Sequence, residues 1–240
     1  MIKNKFKNKF KYSIILISSI VIIVILIIAI TPVNSTKTTI RIDDISDIYP
    51  KPWANYTEAE LEIFKIHKNH NASAVLGIIS DEKYLYENSV IVENIKNYKG
   101  YEIATHTLNH RDLSKLNYDE QYKEIYHSKK RLEEIFKKDL KILIPPHSHY
   151  NNETIKIAGN LNMTIMPNAV NSVYFGTEKN GEWRTDSILL MKAKIKIMKF
   201  FKNDVIVVVH PQALYNNKET LLNQNKINDY EELIVWLCEK

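Results

Sequence analysis

The chain has 240 residues, with 33 Lys and Arg against 28 Asp and Glu, and one cysteine. Its net charge of +5 resides in the first eleven residues, where Lys3, Lys5, Lys7, Lys9 and Lys11 face no acidic neighbour, and the remainder is neutral. That balance argues against a nucleic-acid partner, and the lone Cys238 excludes an intrachain disulfide.

In chain order, residues 1–12 read as a basic cytoplasmic tail and 13–33 as a transmembrane anchor. The run from Ile14 to Ile30 is apolar except for Ser18 and Ser19. At ~1.5 Å per residue, with its flanks, it crosses a hydrocarbon core of ~30 Å. Lysines on one side only orient the N-terminus inward and the rest outward. A cleaved signal peptide is the rival reading, but its apolar centre is usually ~7–15 residues and is followed by a small-residue site that Ala29-Ile30-Thr31 matches poorly. Residues 34–240 then form one exported domain, large enough for a full core.

Within that domain, short β-branched segments predict strands at Thr38–Ile42, Ala74–Ile79, Tyr101–Ala104, Lys141–Ile144, Met163–Met166 and Val205–Val209. Amphipathic patterns predict helices at Thr57–Asn69, where Thr57 and Glu60 have capping-box spacing, and at Asn88–Tyr98, Tyr118–Lys137, Asn152–Asn160 and Asn228–Cys238. Alternation of this kind implies an α/β fold with a mostly parallel sheet. Asp43-Asp44, His106, Pro145-Pro146 and His210 each follow a different predicted strand, so a closing sheet gathers them at its carboxyl rim. Cys238 reads as a packed thiol, and His67 and His70 as cations at a helix C-terminus. Trp53, Tyr56 and Trp183 either stack on a sugar ring or pack on the barrel, and Trp236 reads as a core residue.

The polar residues carry chemistry. A carboxylate and two imidazoles four residues apart, His106 and His110, form the ligand set of a catalytic metal site with one position open. Of Asp43 and Asp44, one can bind the cation while the other addresses water. This is the donor set for metal-assisted hydrolysis by one divalent ion, zinc first, with cobalt, nickel or iron also suited.

The segments RIDD (41–44), HTLNH (106–110), IPPHSHYN (144–151) and VVVHPQ (207–212), in this order and spacing, resemble the polysaccharide deacetylase, or NodB-homology, family of carbohydrate esterases, in particular its divergent membrane-linked members. The resemblance runs from about residue 38 to the C-terminus. It implies an incomplete (β/α) barrel that removes N- or O-acetyl groups from an acetylated cell-surface or cell-wall glycan. By the same resemblance Asp43 is the general base, Asp44, His106 and His110 are the metal ligands, and His210 is the general acid. Pro145 and Pro146 shape the groove, and the His147 N–H faces the oxyanion.

The chain departs from the family pattern at several points. Arg41-Ile42 precede the aspartates where the family has Thr-Phe, Ile144 replaces an arginine that pairs with the base, and His147-Ser148 replace an aromatic-glycine pair. No clear match supplies the aspartate that orients the acid histidine, for which Asp186 is the candidate and Asp204 a weaker one. These departures leave two alternatives: a carbohydrate-binding protein without turnover, or a hydrolase of another amide or ester. They also point to Arg41. Residues i and i+2 of a strand share a face, so Arg41 is placed to bind Asp43 in place of the missing arginine, or else to form an ion pair of structural value only.

Overall fold

The computed structural model describes residues 36–46, 57–81, 83, 85–168, 171–179, 182–201, 203–216 and 221–239. The predicted tail and membrane span, and the loop with Trp53 and Tyr56, lie outside these. No helix among the described residues is long and apolar enough to cross a membrane.

The elements alternate as β1 (Thr38–Ile45), α1 (Thr57–Asn69), β2 (Ala74–Ile78), α2 (Val90–Lys96), β3 (Tyr101–Thr105), α3 (Tyr118–Phe136), β4 (Ile142–Leu143), α4 (Asn152–Asn160) and β5 (Thr164–Ile165). Then come β6 (Ser172–Phe175), the ribbon β7 (Thr177–Lys179) and β8 (Glu182–Arg184), α5 (Ile188–Phe200), β9 (Val205–Val209) and α6 (Gln224–Cys238). Seven strands form one sheet in the order β5-β4-β3-β2-β1-β9-β6, every pairing parallel. Its edges, β5 and β6, do not pair with each other among the described residues, so the (β/α) barrel is incomplete.

The sheet is covered on both faces, which is why β2 (AVLGI) is buried at every position. One face packs Ile40, Ile42, Leu76, Ile103, Val207 and Val209 against the helices. The inner face carries Val75, Ala104 and Ile144. Gly77 lies on that inner side because a Cβ there would sit 3.2 Å from Ile144 Cδ1 and 3.3 Å from an Asp43 carboxylate oxygen.

Helix starts follow local chemistry. Asn117 and Glu120 form a reciprocal capping box on α3, and Asn151 caps α4. Glu60, paired by spacing with Thr57, reaches from α1 to accept the Ser46 N–H at 2.8 Å and so ties the end of β1 to the helix.

Three expectations need correction. Helix α5 and strands β6 to β8 differ from the expected element list, because Lys192–Ile197 alternates with a period of two and the strands span only three or four residues. His67 is not a solvent-facing cation. It is fully buried, 2.7 Å from the Tyr230 hydroxyl, and burial lowers its pKa from 6.5 to about 4. Cys238 is exposed rather than packed, since it ends α6.

Candidate metal centre and catalytic cleft

Strand β1 delivers both aspartates to one cleft by breaking its own alternation. The register with β2 shifts between Ile42 and Ile45, and Asp44 takes a left-handed φ of 61°. In a regular strand the two side chains would face opposite ways. The bulge turns Asp44 to the same side as Asp43.

The loop after β3 presents His106 and His110. Thr107, a β-branched residue at φ 68°, is held in that unfavourable conformation by three hydrogen bonds. Its N–H donates to Thr105 Oγ1 (3.1 Å), its hydroxyl accepts the His110 N–H (3.1 Å), and its carbonyl accepts the Ser80 N–H (3.2 Å). From α3, the buried Glu124 clamps the same loop by accepting the Asn109 backbone and side-chain N–H groups at 2.8 and 3.0 Å. Of the eight non-glycine residues with positive φ among the described residues, five lie around the cleft: Asp44, Thr107, His110, His147 and Ser148. The other three, Asn71, Lys137 and Asn162, follow helix ends, where such φ values are routine.

Asp44 Oδ1 lies 3.2 Å from His106 Nε2 and 3.2 Å from His110 Nε2, and the two nitrogens are 3.1 Å apart. Tetrahedral coordination at ~2.0–2.1 Å separates ligand atoms by roughly 3.3–3.4 Å, so this triangle has nearly the size of one face of such a tetrahedron. His106 Nδ1 is 2.8 Å from the Ile144 carbonyl, an acceptor only. Nδ1 therefore carries the proton, and Nε2 is left as the coordinating atom. Gln212 Nε2 donates to Asp44 Oδ2 at 3.2 Å, fixing the carboxylate plane. The donor set, its spacing and these outer contacts fit a divalent cation.

Charge is balanced inside the cluster. Burial disfavours the Asp44 carboxylate, but hydrogen bonds from His106 and His110 outweigh it and hold the carboxyl well below its ordinary range. Burial likewise opposes charge on His106, and the hydrogen bond to Asp44 together with the charges of Asp43 and Asp44 reverses this, raising its pKa.

Asp43 is gripped from behind. Arg41 Nε donates to Oδ1 at 2.9 Å and Nη2 to Oδ2 at 2.6 Å, a bidentate pair with the guanidinium only 1% exposed. Arg41 also donates to the Met166 carbonyl (3.1 Å) and to Asn168 Oδ1. Ser148 Oγ accepts the Asn168 N–H at 3.0 Å, so the loop after Pro146 joins the network.

The cleft has a volume of about 370 Å³ and is lined by Asp43, Asp44, His106, His110, Pro145, His147 and His210. Pro146 is buried in the turn beneath, and Arg41 lies behind Asp43. Asp186 is elsewhere. At the start of α5 it pairs with Lys194 at 2.5 Å, and His210 Nδ1 is buried without a hydrogen-bond partner among the described residues. An Asp186–His210 pair is not formed: the carboxylate, two residues ahead of α5, finds its cation in Lys194 on that helix. Trp183 completes a wall, its ring 5.1 Å from that of His210. Gln212, Asn168, Tyr174 and Glu178 also line the cleft and received no role from the sequence. Gln212 stood two residues from His210 in the last motif, so its place in the sequence was a usable signal.

The family model for polysaccharide deacetylase matches residues 34–166. A search of curated protein sequences found no match. Among solved structures, a carbohydrate esterase family 4 pseudoenzyme from Bacillus anthracis is 16% identical, with a TM-score of 0.56 over 87% of this chain and 62% of that one. This chain thus spans less than two thirds of that protein. The Bc1960 peptidoglycan N-acetylglucosamine deacetylase gives 20% identity and a TM-score of 0.58, covering 86% of this chain and 83% of that one. The peptidoglycan deacetylase PdaC from Bacillus subtilis gives 16% and 0.52, covering 87% and 86%. Such distant likenesses speak for the fold, and they agree with the family model that covers more than half of the sequence: the chain belongs to the polysaccharide deacetylase family.

Proposed function

We propose that this protein is a metal-dependent hydrolase that removes acetyl groups, N- or O-linked, from a cell-surface or cell-wall polysaccharide. In this reading residues 13–33 hold it in the membrane and the cleft faces outward. The carrying observation is the Asp44–His106–His110 triangle with a second, ion-paired carboxylate, Asp43, in the same cleft.

Asp44, His106 and His110 would hold the cation, which when bound supplies Lewis-acid polarisation of the acyl carbonyl and makes water more acidic. Asp43, fixed by Arg41, takes the proton from the attacking water. His210, across the cleft beside Trp183, protonates the departing amine or alkoxide. The His147 N–H and the Pro145-Pro146 turn border the acyl oxygen and shape the groove.

A second reading, a carbohydrate-binding protein without turnover, draws on one observation: among the described residues His210 Nδ1 has no partner that would fix its tautomer. One assay separates the two. The purified full chain is incubated with acetylated oligosaccharides, with chelator and with added zinc, cobalt or nickel, and acetate is measured. Metal-dependent release supports the hydrolase. Glycan binding without acetate supports the second reading, and release that survives complete metal removal would overturn the mechanism.

A further inference from the structure

Helix α5 buries Ile188, Met191 and Ile195, one side of its surface at 100° per residue. The opposite side of a domain helix is ordinarily polar. Here it carries Leu189, Leu190, Ile197 and Phe200, with Phe201 just beyond, exposed at 80, 46, 39, 46 and 66%. Lysines flank this stripe, Lys194 along one edge and Lys192, Lys196 and Lys199 along the other, and no acidic residue occurs from 188 to 203. Lys192 pairs with Glu232 and Lys194 with Asp186, whereas Lys196 and Lys199 form no salt bridge among the described residues.

An apolar stripe between basic edges is the pattern of a helix lying in a lipid interface, where the rings sit among acyl chains and the ammonium groups meet anionic headgroups. Position favours lipid over a protein partner. The Lys37 N–H donates to Asp204 Oδ1 at 2.8 Å, and the Val205 N–H donates to the Lys37 carbonyl at 2.9 Å. The chain therefore enters the sheet three residues from Phe201. In the sequence the apolar segment ends at Val33, four residues before Lys37, at most ~14 Å of extended chain. A bilayer holding that segment lies beside the end of α5. The cleft sits at the other end of the strands, where Asp43 and Asp44 close β1.

We propose that α5 docks the domain on an anionic lipid bilayer through Leu189, Ile197, Phe200 and Phe201, with Lys196 and Lys199 on headgroups. With α5 lying flat, the strands run along the bilayer, and the cleft, beside Trp183 at the end of α5 remote from Phe201, opens along the membrane surface rather than into it. The inference rests on the proposed attachment of residues 13–33, and the test separates the two. In a Cys238→Ser background, single-cysteine variants Phe201→Cys, Leu189→Cys and, as a control near the cleft, Tyr150→Cys carry a fluorescent label. The full chain is reconstituted in phosphatidylglycerol–phosphatidylcholine vesicles containing doxyl-labelled lipids.

Labels at 201 and 189 should be quenched by lipid, and the label at 150 should not. Lys196→Glu with Lys199→Glu should weaken the quenching, with about fivefold lost affinity per charge removed. Equal, weak quenching at 201 and 150 in vesicle-bound protein would overturn the docking and leave attachment standing. A label at 201 shielded from water yet unquenched by lipid would mean that protein covers the helix, and would also overturn it. Quenching indifferent to the lysine changes or to vesicle charge would overturn the anionic requirement. Chain that fails to associate with any vesicle would instead remove the attachment.

Discussion

Asp43 and Asp44 are neighbours with different surroundings, and the proposed function gives them different tasks because of what each oxygen touches. Asp44 meets two imidazoles and an amide, whereas Asp43 meets one guanidinium. His106→Ala and His110→Ala should each abolish bound metal, since solvent does not replace one of three protein ligands at comparable affinity. Asp43→Asn should keep the metal while turnover falls by roughly 10²–10⁴. Elemental analysis beside acetate release checks both, and an active Asp43→Asn protein would contradict the role given to it. Arg41→Met should retain metal and KM but lose kcat by roughly tenfold or more, because the carboxylate is freed from its bidentate grip. Adding Ile144→Arg should restore part of that loss. Ile144 packs beside Gly77, which approaches Asp43, so an arginine from 144 reaches the space vacated by Arg41. A double variant no better than Arg41→Met would argue against a positioning role. The i,i+2 spacing made this pair legible in the sequence. The Ile144 contribution to His106 was not, because a backbone carbonyl does not depend on residue type.

At the scale of elements, what positions the site is irregularity placed on regular supports. Strands β1 to β5 and β9 and the helices α1 to α4 and α6 were legible because their apolar residues repeat with one clear period and polar caps bound them. The bulge in β1 and the left-handed turns after β3 and β4 were not, since Thr107 is β-branched and disfavours positive φ, and Asp44 and His147, though of types that tolerate it, adopt it in only a small fraction of positions. The β6–β8 wall is too short to show a period, and in α5 an apolar outer face and alternating lysines hide the helical one. Loss of a support should therefore be separable from loss of chemistry. Asn117→Ala removes half of the α3 capping box and should destabilise the fold by about 1 kcal/mol while leaving metal content unchanged. Denaturant melts of the metal-loaded protein, with ion content measured on the same sample, decide this. Lost metal at full stability would show that α3 holds the His106–His110 loop more directly than Glu124 alone suggests.

For the whole molecule, stability should depend on acid through a residue far from the cleft. His67 is neutral in the fold, with its pKa lowered from 6.5 to about 4 by burial. Below pH 6.5 the unfolded chain binds a proton that the folded chain refuses, so stability falls as pH falls and the loss continues until about pH 4. The loss amounts to about 2 kcal/mol by pH 5 and about 3 kcal/mol at the lower limit. His67→Gln can still meet the Tyr230 hydroxyl and should lessen the decline between pH 7 and 5 by that amount. Urea midpoints at both pH values measure it, and an unchanged decline would assign the acid sensitivity elsewhere.

The parallel pairing of β1 with β9 bears on how the molecule is made. Strand β1 is central, yet the residues that meet at its outer edge, such as Lys37 and Asp204, are 167 positions apart. At a synthesis rate of ~5–20 residues per second, β1 waits roughly 8–33 s with one edge unpaired. During that interval the nascent domain carries an open strand of alternating apolar residues, a ready template for pairing with another chain. A shortened chain ending before Val205 should accordingly aggregate rather than linger as a soluble intermediate, and yield in the cell should be limited by how quickly the segment from Val205 onward arrives.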